Sequence, residues 1–204
     1  MRDKILRCAA RLFRTKGYRA TTTRAISEVV GILSGSLFHH FASKEQMLLE
    51  IMHEAASSMC ARADEIANAV QTPVERLRGL IALQLDCLLG EARRDFYAVL
   101  ISEWREVRTS NRLPLTAMRR RYFSAWLRVL EDCARAGILR ADPQATAFAL
   151  HGAINWANTW FKPSGRLSLD EYARILEQLA LIDAVLVKPD RERSSEIGAV
   201  ADPA

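Results

Sequence analysis

Cysteine is sparse in this 204-residue chain and never clustered: Cys8, Cys60, Cys87 and Cys133 stand far apart. No Cys-x-x-Cys pair and no Cys/His spacing suited to a metal occurs, so the thiols read as reduced, mostly buried small hydrophobes. Histidine is equally scarce, with four residues at positions 39, 40, 53 and 151, which leaves little general-base material. No HExxH run and no nucleophile elbow is present. Glu50 and His53 form one Glu-x-x-His, but the second such set that a di-metal bundle needs is missing. A helical-bundle enzyme is therefore a remote alternative, and no catalytic residue, metal site or resident cofactor is expected. Long apolar runs are missing as well: none reaches the roughly 18–20 residues that span a bilayer. Mean hydropathy is −0.05. The N-terminal segment is charged and lacks an apolar signal region, so a cytoplasmic protein without membrane contact is expected. There is no β-hairpin signal, internal repeat or low-complexity tract.

What the chain does have is charge in one place. Its formal net charge is +5. Residues 1–50 hold nine basic groups (Arg2, Lys4, Arg7, Arg11, Arg14, Lys16, Arg19, Arg24, Lys44) against four acids (Asp3, Glu28, Glu45, Glu50). The other 154 residues hold 20 of each sign and are neutral. All the positive excess thus lies in the first quarter, the footprint of a segment that grips phosphates.

That quarter contains the stretch TTTRAISEVVGILSGSLFHHF, which ends at Phe41. It reads as two short helices, about Thr23–Val30 and Ser34–His40, joined at Gly31, where glycine tolerates the left-handed backbone of a tight bend. Ile26, Val29 and Val30 are expected on one inward face, Ile32 in the elbow and Leu37 inward. Ser27 is small where two crossing helices come close. The pattern is a helix-turn-helix, whose second helix enters a DNA major groove. Ser34, Gly35, Ser36 and His39 are the candidates for base edges, with Phe38 and His40 beside them, and His40 has packing beneath the next helix as its alternative. Thr22, Thr23 and Lys44 are placed for phosphates, and Arg24 for a phosphate or a guanine edge. His39 and His40 point about 100° apart on a helix, so they do not share a metal.

The organisation is all-α, with about nine helices: a three-helix DNA-binding head and a larger helical body. Helix 1 (about Arg2–Lys16) should bury Ile5, Ala9, Leu12 and Phe13 and end at Gly17. Ser43 should cap a long helix 4, about Lys44–Asn68. Pro73 starts a fifth helix that ends near Gly90, and a sixth is expected over about Glu91–Arg108, broken by Asn111–Pro114. A seventh runs from about Pro114 to Ala136. Asp142 and Pro143 open an eighth that ends before Pro163, and Ser168 caps a ninth that continues to about Val187. Its Tyr172, Ile175, Leu176, Leu179, Ala180, Ile182, Val185 and Leu186 cover so much of the circumference that it needs a partner beyond one core. From Lys188 the tail is polar and aperiodic, and is read as disordered.

The run LFRTKGYRATT followed by ISEVVGILSGSLFHHFASKEQML closely resembles the N-terminal domain of TetR-type transcriptional repressors, over residues 4 to about 51. The resemblance implies two domains, 1–50 and 51–187, with a tail over 188–204. It implies a homodimer on double-stranded palindromic operator DNA, a ligand cavity in the body, and helices 8 and 9 as a four-helix dimer interface. Two residues depart from the family's pattern. Leu33 stands where Ser or Thr usually caps helix 3, so Ser34 is expected to take over the capping. Phe38 stands where a Tyr usually binds phosphate, so one phosphate hydrogen bond is lost.

For the body, all four tryptophans (Trp104, Trp126, Trp156, Trp160) lie outside the head. With Arg108, His151, Asn155 and Thr159 they are the candidate ligand set, apolar surface carrying a few polar handles. The segment NWANTWFKPSGRLSLDEYA resembles the corresponding part of TetR-type regulators of fatty-acid and steroid catabolism, which implies a hydrophobic or CoA-thioester inducer. Arg105, Arg108 and Arg119–Arg121 could then meet its phosphates. The competing ligand class is the lipophilic cations of efflux-pump regulators, which would need buried carboxylates, with Glu103 and Asp132 as the candidates.

Overall fold

The computed structural model describes residues 1–90, 94–162 and 164–182. Among these lie nine α-helices: α1 (Arg2–Lys16), α2 (Thr23–Val30), α3 (Ser34–Phe38), α4 (Lys44–Ala67), α5 (Pro73–Leu89), α6 (Arg94–Ser102), α7 (Arg112–Arg135), α8 (Pro143–Trp160) and α9 (Leu169–Ala180). No strand occurs among the described residues, only an isolated antiparallel bridge between Leu139 and Leu181. None of these helices is long and apolar enough to cross a membrane.

Local chemistry explains most of the boundaries. α1 buries Ile5, Leu6, Ala9, Ala10, Leu12 and Phe13, and Gly17 ends it at φ 83° while its N–H returns to the Phe13 carbonyl. Thr22, Ser43, Asp142 and Ser168 accept hydrogen bonds from the amides of Ala25, Gln46, Ala145 and Glu171, each opening a helix by occupying one orphan donor. Thr72–Glu75 and Ser168–Glu171 are full capping boxes. Gly31 sits at φ 81°, ψ 38°, the left-handed conformation that the α2–α3 bend demands.

Five expectations are corrected. α3 ends at Phe38, so His39 and His40 lie in the turn that follows it. The continuous sixth helix is instead the short α6 and two 3-10 turns, Trp104–Glu106 and Thr109–Asn111; Glu91 lies outside the described residues. α7 starts at Arg112, because Pro114 falls in the first turn, where a missing N–H costs nothing. α9 stops at Ala180, since the next residues extend: Ile182 donates to the Ile138 carbonyl at 3.0 Å and Arg140 N to that of Ala180 at 3.0 Å. Val185, Leu186 and the tail from Lys188 lie outside the described residues. Within α2, Val29 is exposed, because only Ile26 and Val30 share the inward face.

One connected set of buried side chains runs from α1 to Leu181. α4 threads it, packing on α1 at one end and on α5, α6 and α7 along the rest. Three ion pairs tie head to body: Arg14 to Asp95, Arg19 to Glu106 at 2.9 Å and Arg108 to Glu45 at 3.2 Å. Within the body Arg78 grips the buried Glu177 with two bonds of 3.0 and 2.7 Å, and Arg76 holds Asp132 at 2.8 Å.

Phe13, fully buried between α1 and its neighbours, is the head's largest anchor. Phe13→Ala should lower stability by about 3–5 kcal/mol, read as a drop in the urea midpoint followed by circular dichroism.

Candidate nucleic-acid interface

The exposed face of the head is built by the short α3 standing off the α2 turn. Ser27, buried beneath it, donates to the Arg24 carbonyl at 2.8 Å. Its oxygen lies 3.0 Å from that of Ser34. Since the Ser27 proton is engaged, Ser34 donates, which pins α3 to α2. Ser34 is therefore the first helical residue and not the cap; Leu33 occupies the cap position and makes no side-chain bond there. Ser34, Gly35, Phe38 and His39 all face solvent, while Ser36 and His40 are half-buried. A Cβ on Gly35 would meet nothing within 4 Å, so its lack of a side chain serves no internal packing and keeps the surface low. Thr22 caps α2 from an exposed position and Thr23 follows it, half-buried. Arg24 is exposed and paired to Glu28 at 2.9 Å across one helical turn.

Lys44 does not present its charge there. Its ammonium donates to the carbonyls of Tyr18 at 2.8 Å and Thr21 at 2.7 Å, and it lies 4.3 Å from the Tyr18 ring centroid. Partial burial pulls its pKa down, against the attraction of Glu106. Lys44 thus staples the loop before α2 to the start of α4, a positioning role that its sequence location did not signal.

The candidate ligand residues fall into separate places. Trp126 is fully buried (0% exposed), 4.6 Å from His151 between ring centroids. Tyr122 and Phe123 complete the surround at 5.6 and 5.7 Å from the His151 ring. His151 Nε2 is buried without a hydrogen-bond partner, while the buried Trp126 Nε1 turns to the Tyr122 hydroxyl. Beside them Gln84, missed by sequence reading, links Asn155 at 3.0 Å to the Tyr122 hydroxyl at 3.3 Å. Trp104 lies away from this cluster, on a 3-10 turn, with the Arg119 guanidinium 5.1 Å above it. Arg108 is exposed on Glu45, and Arg121 is held by Asp64 at 2.6 Å. Trp156 is 67% exposed on the outer side of α8. Thr159 bonds back to its carbonyl at 2.7 Å, and Trp160 packs on Tyr172 at 5.2 Å. Asp132, a candidate counter-charge for a cation, is already engaged by Arg76 and Arg135, each at 2.8 Å. Glu103, the other, is half-buried. Among the described residues no group of three or more His, Cys, Asp or Glu side chains could hold a metal ion.

A cleft of about 730 Å³ opens elsewhere, between α1, α4 and the start of α7, with Leu6, Leu49, Pro114 and Leu115 among its lining beside the paired Arg2 and Glu50.

Residues 5–51 match the family described as bacterial regulatory proteins, tetR family. Residues 70–182 match tetracyclin repressor-like, C-terminal domain. The chain belongs to the TetR family. Its relatives include the transcriptional repressor KstR2 of Rhodococcus jostii, 31% identical over 176 residues that cover 85% of each chain. Among solved structures, superantigen PfiT is 37% identical with a TM-score of 0.74, covering 89% of this chain and 96% of that one. AibR in complex with isovaleryl coenzyme A and operator DNA is 25% identical with a TM-score of 0.79, covering 86% and 95%. A TetR-family protein is a transcription regulator and not an enzyme, so the bundle-enzyme alternative falls away.

Two outcomes follow from this geometry. Lys44→Met should unfold about 1–3 kcal/mol more easily as its carbonyl bonds are lost, with DNA affinity falling in parallel. Affinity lost at an unchanged unfolding midpoint would instead make Lys44 a phosphate contact. Burial among aromatic rings pushes the His151 imidazole down from 6.5 to about 4. The unfolded chain therefore takes up the proton first. Stability is complete above about pH 6.5 and falls towards pH 4 by on the order of 3 kcal/mol. Urea titrations from pH 7 to 4 should show the loss, with a shallower slope for His151→Phe.

Proposed function

We propose that this chain is a homodimeric repressor that docks residues 1–50 on a palindromic operator and is released when a hydrophobic or CoA-linked inducer enters residues 51–187. One observation carries the reading: AibR, alike over 86% of the present chain, was solved with isovaleryl coenzyme A and operator DNA. Another neighbour, KstR2 of Mycobacterium tuberculosis, is a ketosteroid transcriptional regulator with a TM-score of 0.79 at 27% identity.

The chemistry of the body supports an uncharged inducer head. His151 Nε2 is a buried polar atom without a partner, and in the tautomer that carries its proton there it would donate to a thioester or keto carbonyl. The carboxylates of Glu177, Asp132 and Asp64 are all engaged by arginines, which takes Asp132 from the counter-charges a lipophilic cation would seek and leaves it the half-buried Glu103 alone of the two candidates.

The dimer is supported by the outer faces of α8 and α9, where Phe148, Trp156, Trp160, Ile175 and Leu179 face solvent together. Large apolar side chains in such a group favour burial against a twin. The head then reads DNA through Ser34, Gly35, Ser36, Phe38, His39 and His40, with Thr22, Thr23 and Arg24 on the backbone. Release follows from α4. An inducer between the body helices tilts it, the ion pairs of Arg14, Arg19 and Glu45 carry the head along, and two half-sites about 34–36 Å apart are no longer met together. Regulators of this kind act in the cytoplasm, where promoter DNA and CoA thioesters meet.

Fluorescence anisotropy on the protein's own promoter DNA tests this. A dimer by sedimentation, affinity that falls steeply with salt, and release by isovaleryl-CoA or a steroid-derived CoA thioester are expected. Operator DNA should weaken inducer binding by the factor with which inducer weakens DNA binding. Inducer affinity that is equal with and without operator would remove the mechanism.

A further inference from the structure

We infer that Leu33 is a base-reading residue that recognises the 5-methyl group of a thymine, and that Phe38 reads a second thymine in the same half-site. The inference rests on the DNA-binding reading of the head and adds to it a specific kind of contact.

Leu33 is 80% exposed and Phe38 54%, in a chain whose neighbouring Ile32 and Leu37 pack inward. Stability gives Leu33 no reason to be leucine. Its carbonyl accepts from the Ser36 amide at 2.9 Å, so the backbone alone makes the turn. Its side chain neither caps α3 nor joins the core. A Ser or Thr there would strengthen the helix start.

Apart from the exposed His39, the rest of the reading face is poor in hydrogen bonds. Ser34 has its proton engaged on Ser27, Gly35 has no side chain, and Ser36 is half-buried. A face with little polar code and two projecting hydrophobes selects for the apolar feature of the major groove, and that feature is the thymine methyl. The occupant is duplex DNA because the head carries the whole positive excess of the chain, nine basic groups against four acids. Leu33 is the extended residue before α3 and Phe38 is its last, so about 7.5 Å of helix separates them and, at about 100° per residue, their side chains leave its axis on different sides. That length is about two base-pair steps of 3.4 Å, so one thymine cannot serve both.

The test replaces each thymine of a bound operator in turn with deoxyuridine, which pairs identically and lacks only the methyl. Two positions per half-site should each weaken binding roughly fourfold, the loss of one buried methyl group. In Leu33→Ala one of those positions should lose its effect while the other keeps it, and Phe38→Ala should show the reverse. Both side chains are exposed, so the unfolding midpoints should stay at the parent's value; Leu33→Met should retain the parent's pattern. Operator binding that is indifferent to every deoxyuridine, or a Leu33→Ala profile identical to the parent's, overturns the inference and leaves the repressor reading intact. A protein that selects no operator at all overturns both.

Discussion

The rest of the structure depends on the burial of a single helix by two different sets of neighbours. α4 is 24 residues long, about 36 Å, and ten of its side chains, from Met47 to Ala67, are buried. Its first turns pack against α1, and the remainder against α5, α6 and α7. The four alanines Ala55, Ala56, Ala63 and Ala67 let those helices come near along the same stripe. A rod held so densely at both ends does not bend locally. It moves as a unit, because packed cores shift between arrangements more readily than they deform. The head is therefore packed into one continuous core with the body.

Electrostatics reinforce that tie and also alter the meaning of the head's charge. Arg14 and Arg19 face acids of the body, Arg2 is paired with Glu50, and Lys4 and Lys44 donate to backbone carbonyls. The net excess remains and still attracts a polyanion, but several of its members hold the head in place. Exposed ion pairs of this kind contribute little individually. Their use here is geometric, since three of them join the head to α6 and to the segment between α6 and α7.

The body follows a comparable division. Charged groups are paired, most of them near its surface and Glu177 within it, while the cluster between α5, α7 and α8 holds neutral polar atoms: Gln84, the Tyr122 hydroxyl, Trp126 Nε1 and His151 Nε2. An interior of that character accepts a carbonyl more readily than an ion. The eight candidate ligand residues share composition but not location. Trp126, His151 and Asn155 come together across α7, α8 and α5, whereas Trp104 and Arg108 lie on the strap after α6, and Trp156 faces outward.

The sequence by itself determined what is short in range. Helix-opening residues at Ser43, Asp142 and Ser168, the bend at Gly31 and the inward stripe of α1 all follow from hydrogen bonds and periodicity within a few residues. So did the family, because its pattern is itself a string of such local features. Only the tertiary structure decided how side chains of the same type are used. Lys44 turned to a loop 26 residues away, Arg78 to a glutamate 99 residues on, and Leu33 was left facing outward. The reason is physical: a cap is satisfied by its neighbours in the chain, whereas a long cation or a large apolar group is satisfied by whatever the fold brings across to it.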